Sequence, residues 1–419
     1  LFGFDTGIIS GASPLIESDF GLSVAQIGFI TSSVLIGSCA GALSIGALSD
    51  RFGRKKLLIL AAILFLLGSG MCAGSTGFLM MVVARIILGL AVGAASSLTP
   101  AYLAELAPKE RRGSLSTLFQ LMITFGILLA YASNLGFLGH NIAGIRDWRW
   151  MLGSALVPAA LLLIGGLLLP ESPRYLVSRG KDREAFKVLT LIRKDVDQTQ
   201  VQLELDEIKA VAAQNTKGGV RELFRIARPA LVAAIGIMLF QQLVGINSVI
   251  YFLPQVFIKG FGFPENHAIW VSVGIGVVNF VATIAATPIM DKFPRKVLAV
   301  LNFTGDVATL AVPTMVLIAC YILGFALSWG PIAWVLIGEI FPLSVRGIGS
   351  SFGSAANWLG NFVVSQFFLM LLAMFGNNVG GPFTIFGVFS ALSIPFVLRF
   401  VPETKGKSLE QIEEEMVRR

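Results

Sequence analysis

The chain has 419 residues, 55% of them hydrophobic and 14% charged, and a formal net charge of +7, with a mean hydropathy of +0.79. An ordinary soluble domain is roughly a quarter charged, so this composition excludes one. Apolar stretches of 17 to 25 residues recur along the chain, each long enough to cross a hydrocarbon core about 30 Å thick. Period-two alternation is missing, so helices rather than barrel strands satisfy the backbone within each span.

In chain order, spans are predicted near 1–16, 24–49, 57–78, 80–106, 114–137, 149–169, 228–257, 267–290, 297–311, 314–341, 348–375 and 382–401. The first is short: Glu17, Ser18 and Asp19 end it, and no initiator methionine precedes Leu1, so a truncated first span is expected. The ninth is short as well. Basic clusters fall in every second connection: 51–56, 109–112, 174–228, 292–296, Arg346, and the tail from Lys405. The positive-inside rule then places both termini and the central loop in the cytoplasm. That pattern accounts for the basic excess, so no nucleic-acid partner is expected. The 45 glycines suit close helix packing in lipid.

The polar stretch 174–227 mixes Leu189, Leu191, Ile192, Leu203, Leu205 and Ile208 with charges, which predicts short amphipathic helices. It divides two similar halves. Glu105-Leu-Ala-Pro108 to Gly113 repeats as Glu339-Ile-Phe-Pro342 to Gly347, 234 residues on. Pro170-Glu171 returns as Pro402-Glu403, 232 on, and Asp50-Arg51-Phe52-Gly53 as Asp291-Lys292-Phe293-Pro294, 241 on. Two halves in the same orientation are a parallel-repeat transporter architecture. The expected organisation is an N-terminal six-helix bundle over 1–173, a cytoplasmic helical linker over 174–227, a C-terminal six-helix bundle over 228–401, and a cytoplasmic tail over 402–419.

Cys39, Cys72 and Cys320 lie in apolar runs and read as small buried residues; His140 and His267 sit in short polar connections. No histidine metal site, nucleophile–base constellation or phosphate-binding glycine loop is present, so neither an enzyme nor a cofactor is expected. An ion channel would need charge rings or a filter loop, and the spans carry neither. A nutrient sensor would call for a long signalling tail, whereas about 18 residues follow the last span.

These motifs resemble the sugar porter family of the major facilitator superfamily, and most of all its bacterial proton-coupled members for glucose, xylose, galactose or arabinose. The resemblance runs from Leu1 to about Glu415. It rests on Gly46 to Lys55, Arg85-Ile-Ile-Leu-Gly89, Pro-Glu-Ser-Pro-Arg at 170–174, Gln241-Gln242-Leu-Val-Gly245-Ile-Asn247, Ser328-Trp329-Gly330-Pro331, and Pro-Glu-Thr-Lys-Gly at 402–406. It implies an all-α membrane protein with twelve transmembrane helices in two six-helix parallel repeats. The implied activity is monosaccharide import by proton symport through alternating access; a proton-independent sugar or inositol-like polyol carrier is the alternative. The implied partners are a monosaccharide, a proton and the lipid bilayer, with the chain working as a monomer. The implied location is a bacterial inner membrane, which the lack of an Asn-x-Ser/Thr site in any outer connection fits.

Asp5 and Arg85 are charges inside spans one and four, where an unpaired charge costs at least several kcal/mol. The resemblance makes them a proton-coupling pair, and facilitative relatives carry asparagine at the position of Asp5. Paired with Arg85, Asp5 stays ionised; separated in a dry site, it takes a proton. The other reading is a static structural ion pair. Span seven offers Gln241, Gln242, Asn247 and Tyr251, whose amide and hydroxyl groups either bind sugar hydroxyls or join neighbouring helices. By resemblance they bind sugar, together with Phe2, Gln120, Trp334, Asn357 and Trp358. Ile127 stands where many porters have a second glutamine, and Pro294 where many have glycine. A cytoplasmic gate is expected from Asp50, Arg51, Arg54, Glu105, Arg112, Glu171 and Arg174 in one half. Its counterparts are Asp291, Arg295, Glu339, Arg346 and Glu403 in the other, with ion pairs that break as the halves rock.

Overall fold

The computed structural model describes residues 1–106, 112–193, 196–214, 219–290, 311–342 and 345–404. Among these residues the structure is helical, apart from one isolated bridge between Ile142 and Ile145. Nine stretches among the described residues are long and apolar enough to cross a membrane.

The first half contains α1 (Phe2–Phe20), α2 (Val24–Phe52), α3 (Arg54–Ala73), α4 (Phe78–Leu106), α5 (Arg112–Phe137), α6 (Asp147–Gly153) and α7 (Leu156–Leu168). α1 runs past the expected end at residue 16 because its C-terminal acidic residues find partners. Glu17 pairs with Lys259 at 2.8 Å; Asp19 pairs with Arg146 at 3.1 Å and accepts from the Trp148 indole at 3.0 Å. Gly21, in the left-handed region, then ends the helix. Ser23 and Gln26 form a capping box that starts α2, satisfying amide donors the first turn leaves free. The next turn, from α2 into α3, is closed from a distance: the Glu171 carboxylate accepts from the backbone amides of Arg54 (2.9 Å) and Lys55 (3.2 Å). An anion at a helix N-terminus is favoured by both the free amides and the helix dipole. α2 and α4 approach so closely that a Cβ on Gly89 would overlap the Val34 carbonyl oxygen. That contact fixes α4 one turn beyond Arg85.

Between the halves lie α8 (Pro173–Ser178), α9 (Asp182–Ile192), α10 (Gln198–Gln214) and α11 (Val220–Ile226). Leu176, Ala185, Leu189, Val201 and Leu205 form a small core of their own. Arg193 ties this group to the transmembrane body: it binds Glu204 through two bonds (3.0 and 2.9 Å) and donates to the carbonyl of Leu106 at the end of α4 (2.9 Å).

The second half contains α12 (Arg228–Leu243), α13 (Ile246–Phe261), α14 (Glu265–Met290), α15 (Ala311–Leu327), α16 (Trp329–Glu339), α17 (Arg346–Met374) and α18 (Gly380–Phe400). The expected ninth span, 297–311, lies outside the described residues except for its last position. The halves meet along three pairs of helices, α2 with α17, α5 with α14 and α1 with α13. Of the cysteines, Cys72 is buried as expected, but Cys320 is exposed on its apolar helix and Cys39 is half-buried; all three are free.

Candidate functional site

Two spans are broken in the middle. Between α12 and α13, Gly245 takes φ +92°, and a Cβ there would overlap the Phe386 ring. Only glycine takes this conformation without strain. The Tyr321 hydroxyl donates to the carbonyl of Val244 at 2.8 Å, satisfying a backbone group that the break leaves without a helical partner. Between α15 and α16, Ser328 interrupts the helix. The two breaks are bonded together: the Gln241 amide donates to the carbonyls of Trp329 (2.8 Å) and Gly330 (3.2 Å). Gln241 Oε1 in turn accepts from Asn357 on α17 at 2.6 Å, and Gln242 Oε1 accepts from Asn247 at 2.6 Å. Broken spans with exposed backbone groups are where membrane carriers place ligands.

A cavity of about 80 Å³ opens beside these amides. Phe2, Gln120, Gln241, Gln242, Asn247, Trp334 and Asn357 line it, seven of the nine residues expected at the substrate site. Tyr251 and Trp358 do not. Tyr251 is buried beside Thr6 and Asn361, and Trp358 packs its ring 5.2 Å from that of Phe2, supporting the wall from behind. Thr124, Asn279, Thr283 and Asn361 also line the cavity and were not expected. A signal for them exists in the sequence. Asn279 and Thr283, and likewise Asn357 and Asn361, are polar pairs one helical turn apart within apolar spans. Ile127 lines the wall too, so the missing glutamine bears on the cavity itself. Among the described residues, seven amides and two threonine hydroxyls face this space, drawn from both halves, and no lining residue carries a formal charge.

One turn beyond Phe2 on α1, Asp5 meets Arg85 of α4: Nη1 donates to Oδ1 at 2.6 Å, with both side chains buried. Arg85 Nη2 reaches the carbonyl of Thr31 at 3.4 Å, and Nε has no partner. Breaking a buried pair by removing one member costs about 3–5 kcal/mol.

Residues 1–416 match the family described as sugar (and other) transporter. The chain belongs to that family. This transporter is 45% identical over 430 residues to a D-xylose transporter of Levilactobacillus brevis, covering 99% of this chain and 92% of the relative. It is 36% identical to the galactose-proton symporter of Escherichia coli (strain K12), covering 100% and 92%. A solved structure of the major facilitator superfamily proton:xylose symporter XylE bound to 6-bromo-6-deoxy-D-glucose superposes with a TM-score of 0.83 at 35% identity, covering 99% of this chain and 96% of that one. The transporter therefore has the major facilitator fold and is a multi-pass membrane protein.

The described charged residues expected at the gate sit at one end of the bundle. In the first half they bind each other: Arg54 grips Glu105 with two bonds of 3.1 Å and reaches Asp50 at 3.4 Å, while Glu171 caps α3. Arg51 lies over the Phe52 ring, and its carbonyl accepts from Tyr175 and Arg179. Arg174 is exposed, and Arg112 opens α5. In the second half Glu339 ends α16, Arg346 opens α17 and donates twice to the Phe341 carbonyl at 3.1 Å, and Glu403 follows α18. Asp291 and Arg295 lie outside the described residues. The polar links between the halves lie toward the opposite end. Lys259 binds both Glu17 oxygens (2.8 and 3.1 Å), Gln255 donates to Ser13 (3.1 Å), Ser32 to Gln366 (2.8 Å) and Tyr131 to the carbonyl of Ile250 (2.9 Å). Glu17 and Lys259 are 242 residues apart, and no sequence motif joins them.

Proposed function

We propose that this transporter imports a monosaccharide by proton symport, with Gln120, Gln241, Gln242, Asn247 and Asn357 holding the sugar. Phe2 and Trp334 offer ring faces to its apolar side. The observation that carries this reading is a cavity whose described lining has seven amides, two hydroxyls and no charge, within one helical turn of a buried ion pair. An uncharged site rich in donors and acceptors suits a neutral polyhydroxylated solute: each sugar hydroxyl both donates and accepts, and amides offer both partners. A charged solute would need a counter-charge in a cavity this enclosed. Tyr251 and Trp358 shape the wall rather than touch the sugar, and Asn279, Thr283 and Asn361 extend the binding surface.

Asp5 and Arg85 supply the coupling. Paired, the carboxylate is ionised and Arg85 is held; protonated, Asp5 releases Arg85, and the helices α1 and α4 that carry them separate at lower cost. Because Phe2 and Asp5 share a turn of α1, sugar in the cavity and the proton on Asp5 act on the same helix. Both termini face the cytoplasm, as the alternating basic clusters require. The end joined by Glu17 and Lys259 is then the outer one, and this conformation is closed outward. The charged residues at the inner end brace each half and gate it when the halves rock. The plasma membrane of a bacterium is the proposed site, and one chain, which lines the whole cavity, is the working unit.

In proteoliposomes, an inward proton gradient is expected to drive accumulation of labelled xylose or glucose. Asp5→Asn removes accumulation but keeps counterflow exchange. Unchanged accumulation in that variant overturns the coupling assignment, and loss of both accumulation and exchange leaves Asp5 a structural role only. A competition panel of hexoses, pentoses and polyols identifies the cargo.

A further inference from the structure

Away from the central cavity, a cleft of about 640 Å³ opens between the start of α12 and the end of α18. Arg228, Pro229 and Val232 form one wall, and Leu398, Arg399 and Phe400 the other. Both arginines are exposed. Arg228 spends one nitrogen, Nε, on the carbonyl of Phe224 at 2.6 Å, which fixes the side chain and leaves the two terminal nitrogens for another acceptor. Arg399 has no ion-pair or hydrogen-bond partner among the described residues. Two cations from different helices therefore flank one cleft, with no carboxylate among its described lining residues.

The rest of the cleft is apolar and open. Val232, Leu398 and Phe400 are 49%, 59% and 44% exposed, each on a helix that crosses the membrane. One side of the cleft thus asks for an anion and the other for hydrocarbon. A soluble anion answers only the first, because it leaves three apolar side chains uncovered. An apolar helix answers only the second.

We propose that this cleft binds an anionic phospholipid. The phosphate lies between Arg228 and Arg399, whose planar guanidinium groups match phosphate oxygens in pairs, and an acyl chain covers Val232, Leu398 and Phe400. Basic pockets between transmembrane helices at the membrane boundary select anionic headgroups for this reason. In the proposed orientation the site faces the cytoplasmic leaflet. It touches the first helix of the broken seventh span and the last helix of the bundle, so bound lipid ties these two elements together.

Native mass spectrometry of the delipidated full chain, titrated with phosphatidylglycerol and separately with phosphatidylcholine, tests the assignment. The chain is expected to hold one phosphatidylglycerol in preference to phosphatidylcholine. The paired substitution Arg228→Gln with Arg399→Gln weakens that binding roughly 30-fold, at about 1 kcal/mol for each basic residue near a membrane surface, whereas Arg228→Lys with Arg399→Lys, which keeps the charge but loses the paired geometry, weakens it less. Thermal unfolding unchanged in the glutamine pair shows that the fold is intact. Four results overturn the proposal: equal binding of the two lipids, equal phosphatidylglycerol binding with and without the arginines, displacement of lipid by inorganic phosphate alone, and a lipid-free dimer that the glutamine pair dissolves. None of these readouts depends on sugar or proton transport, so failure here leaves the transport reading untouched.

Discussion

The ion pair between Glu17 and Lys259 makes a quantitative test of which way the bundle is closed. In the proposed orientation it joins the outer ends of α1 and α13, which belong to opposite halves, with the ammonium on both carboxylate oxygens at 2.8 and 3.1 Å. The side chains are 25% and 21% exposed, between the regime of surface pairs, worth 0–1 kcal/mol, and that of buried ones. About 1 kcal/mol is the appropriate magnitude, and all of it belongs to the outward-closed state because the pair spans the opening. Lys259→Ala should therefore raise the ratio of outward-open to outward-closed molecules about five-fold. Spin labels replacing His140 and His267, both exposed in outer connections of opposite halves, report that ratio as the weight of the longer distance in pulsed electron paramagnetic resonance. Glu17→Ala should have the same effect, the double variant no further effect, and the reversed pair Glu17→Lys with Lys259→Glu should restore the distribution. Additive effects of the two single variants, or no change in either, would refute the assignment of this pair as the link that holds the outer side shut.

Other perturbations test the cavity and its frame. Gln241→Ala removes a side chain bonded to Asn357, Trp329 and Gly330; with buried partners left unsatisfied at about 1–3 kcal/mol, sugar affinity measured by calorimetry should fall roughly five- to 150-fold. Gly245→Ala places a methyl group into the Phe386 ring at φ +92°; at a cost of about 1–2 kcal/mol for the left-handed backbone alone, it should lower the unfolding temperature in detergent, and an unchanged temperature would show that span seven need not break there.

Much of this molecule was legible from residue order. Hydropathy gives the membrane crossings, since it is a property of continuous segments, and the alternating basic connections supply the direction proposed for them. The cluster Gln241, Gln242, Asn247 stands out because amides are costly in lipid, and the structure brings all three to one cavity. Tyr251 shows where such reasoning stops. Helical periodicity places it on a face related to Gln241 only if the helix is continuous. The break at Gly245 resets the phase, and its ring turns toward Thr6 and Asn361 instead. Trp358 lies one residue beyond Asn357, about 100° around the helix, and so packs behind the wall that Asn357 forms. The unexpected residues Asn279 and Thr283 lie on α14, a span with no recognised motif, and only the packing of α14 against α5 brings them to the cavity. Glu17 was legible as the end of a hydrophobic stretch but not as half of a pair, because its partner is fixed by how the two halves dock.

That docking constrains how the carrier can work. Polar links near the proposed outer side join the halves, four of them through Glu17, Ser13, Ser32 and Tyr131. At about 1 kcal/mol each they favour the outward-closed state by about 4 kcal/mol, close to the 5.5 kcal/mol that separates a 1:99 population from 99:1. A carrier held that firmly on one side would not turn over. Closure of the inner side must therefore supply a comparable term, and the ion pairs already formed within the first half, such as Arg54 with Glu105, cannot supply it if they persist in both states. The balance has to come from contacts made anew across the inner end, from the sugar, and, on the coupling proposed above, from the buried pair Asp5–Arg85, which a proton would switch. On this accounting, weakening the outer links shifts which side is open at rest, whereas neutralising Asp5 removes the dependence of that shift on the proton gradient.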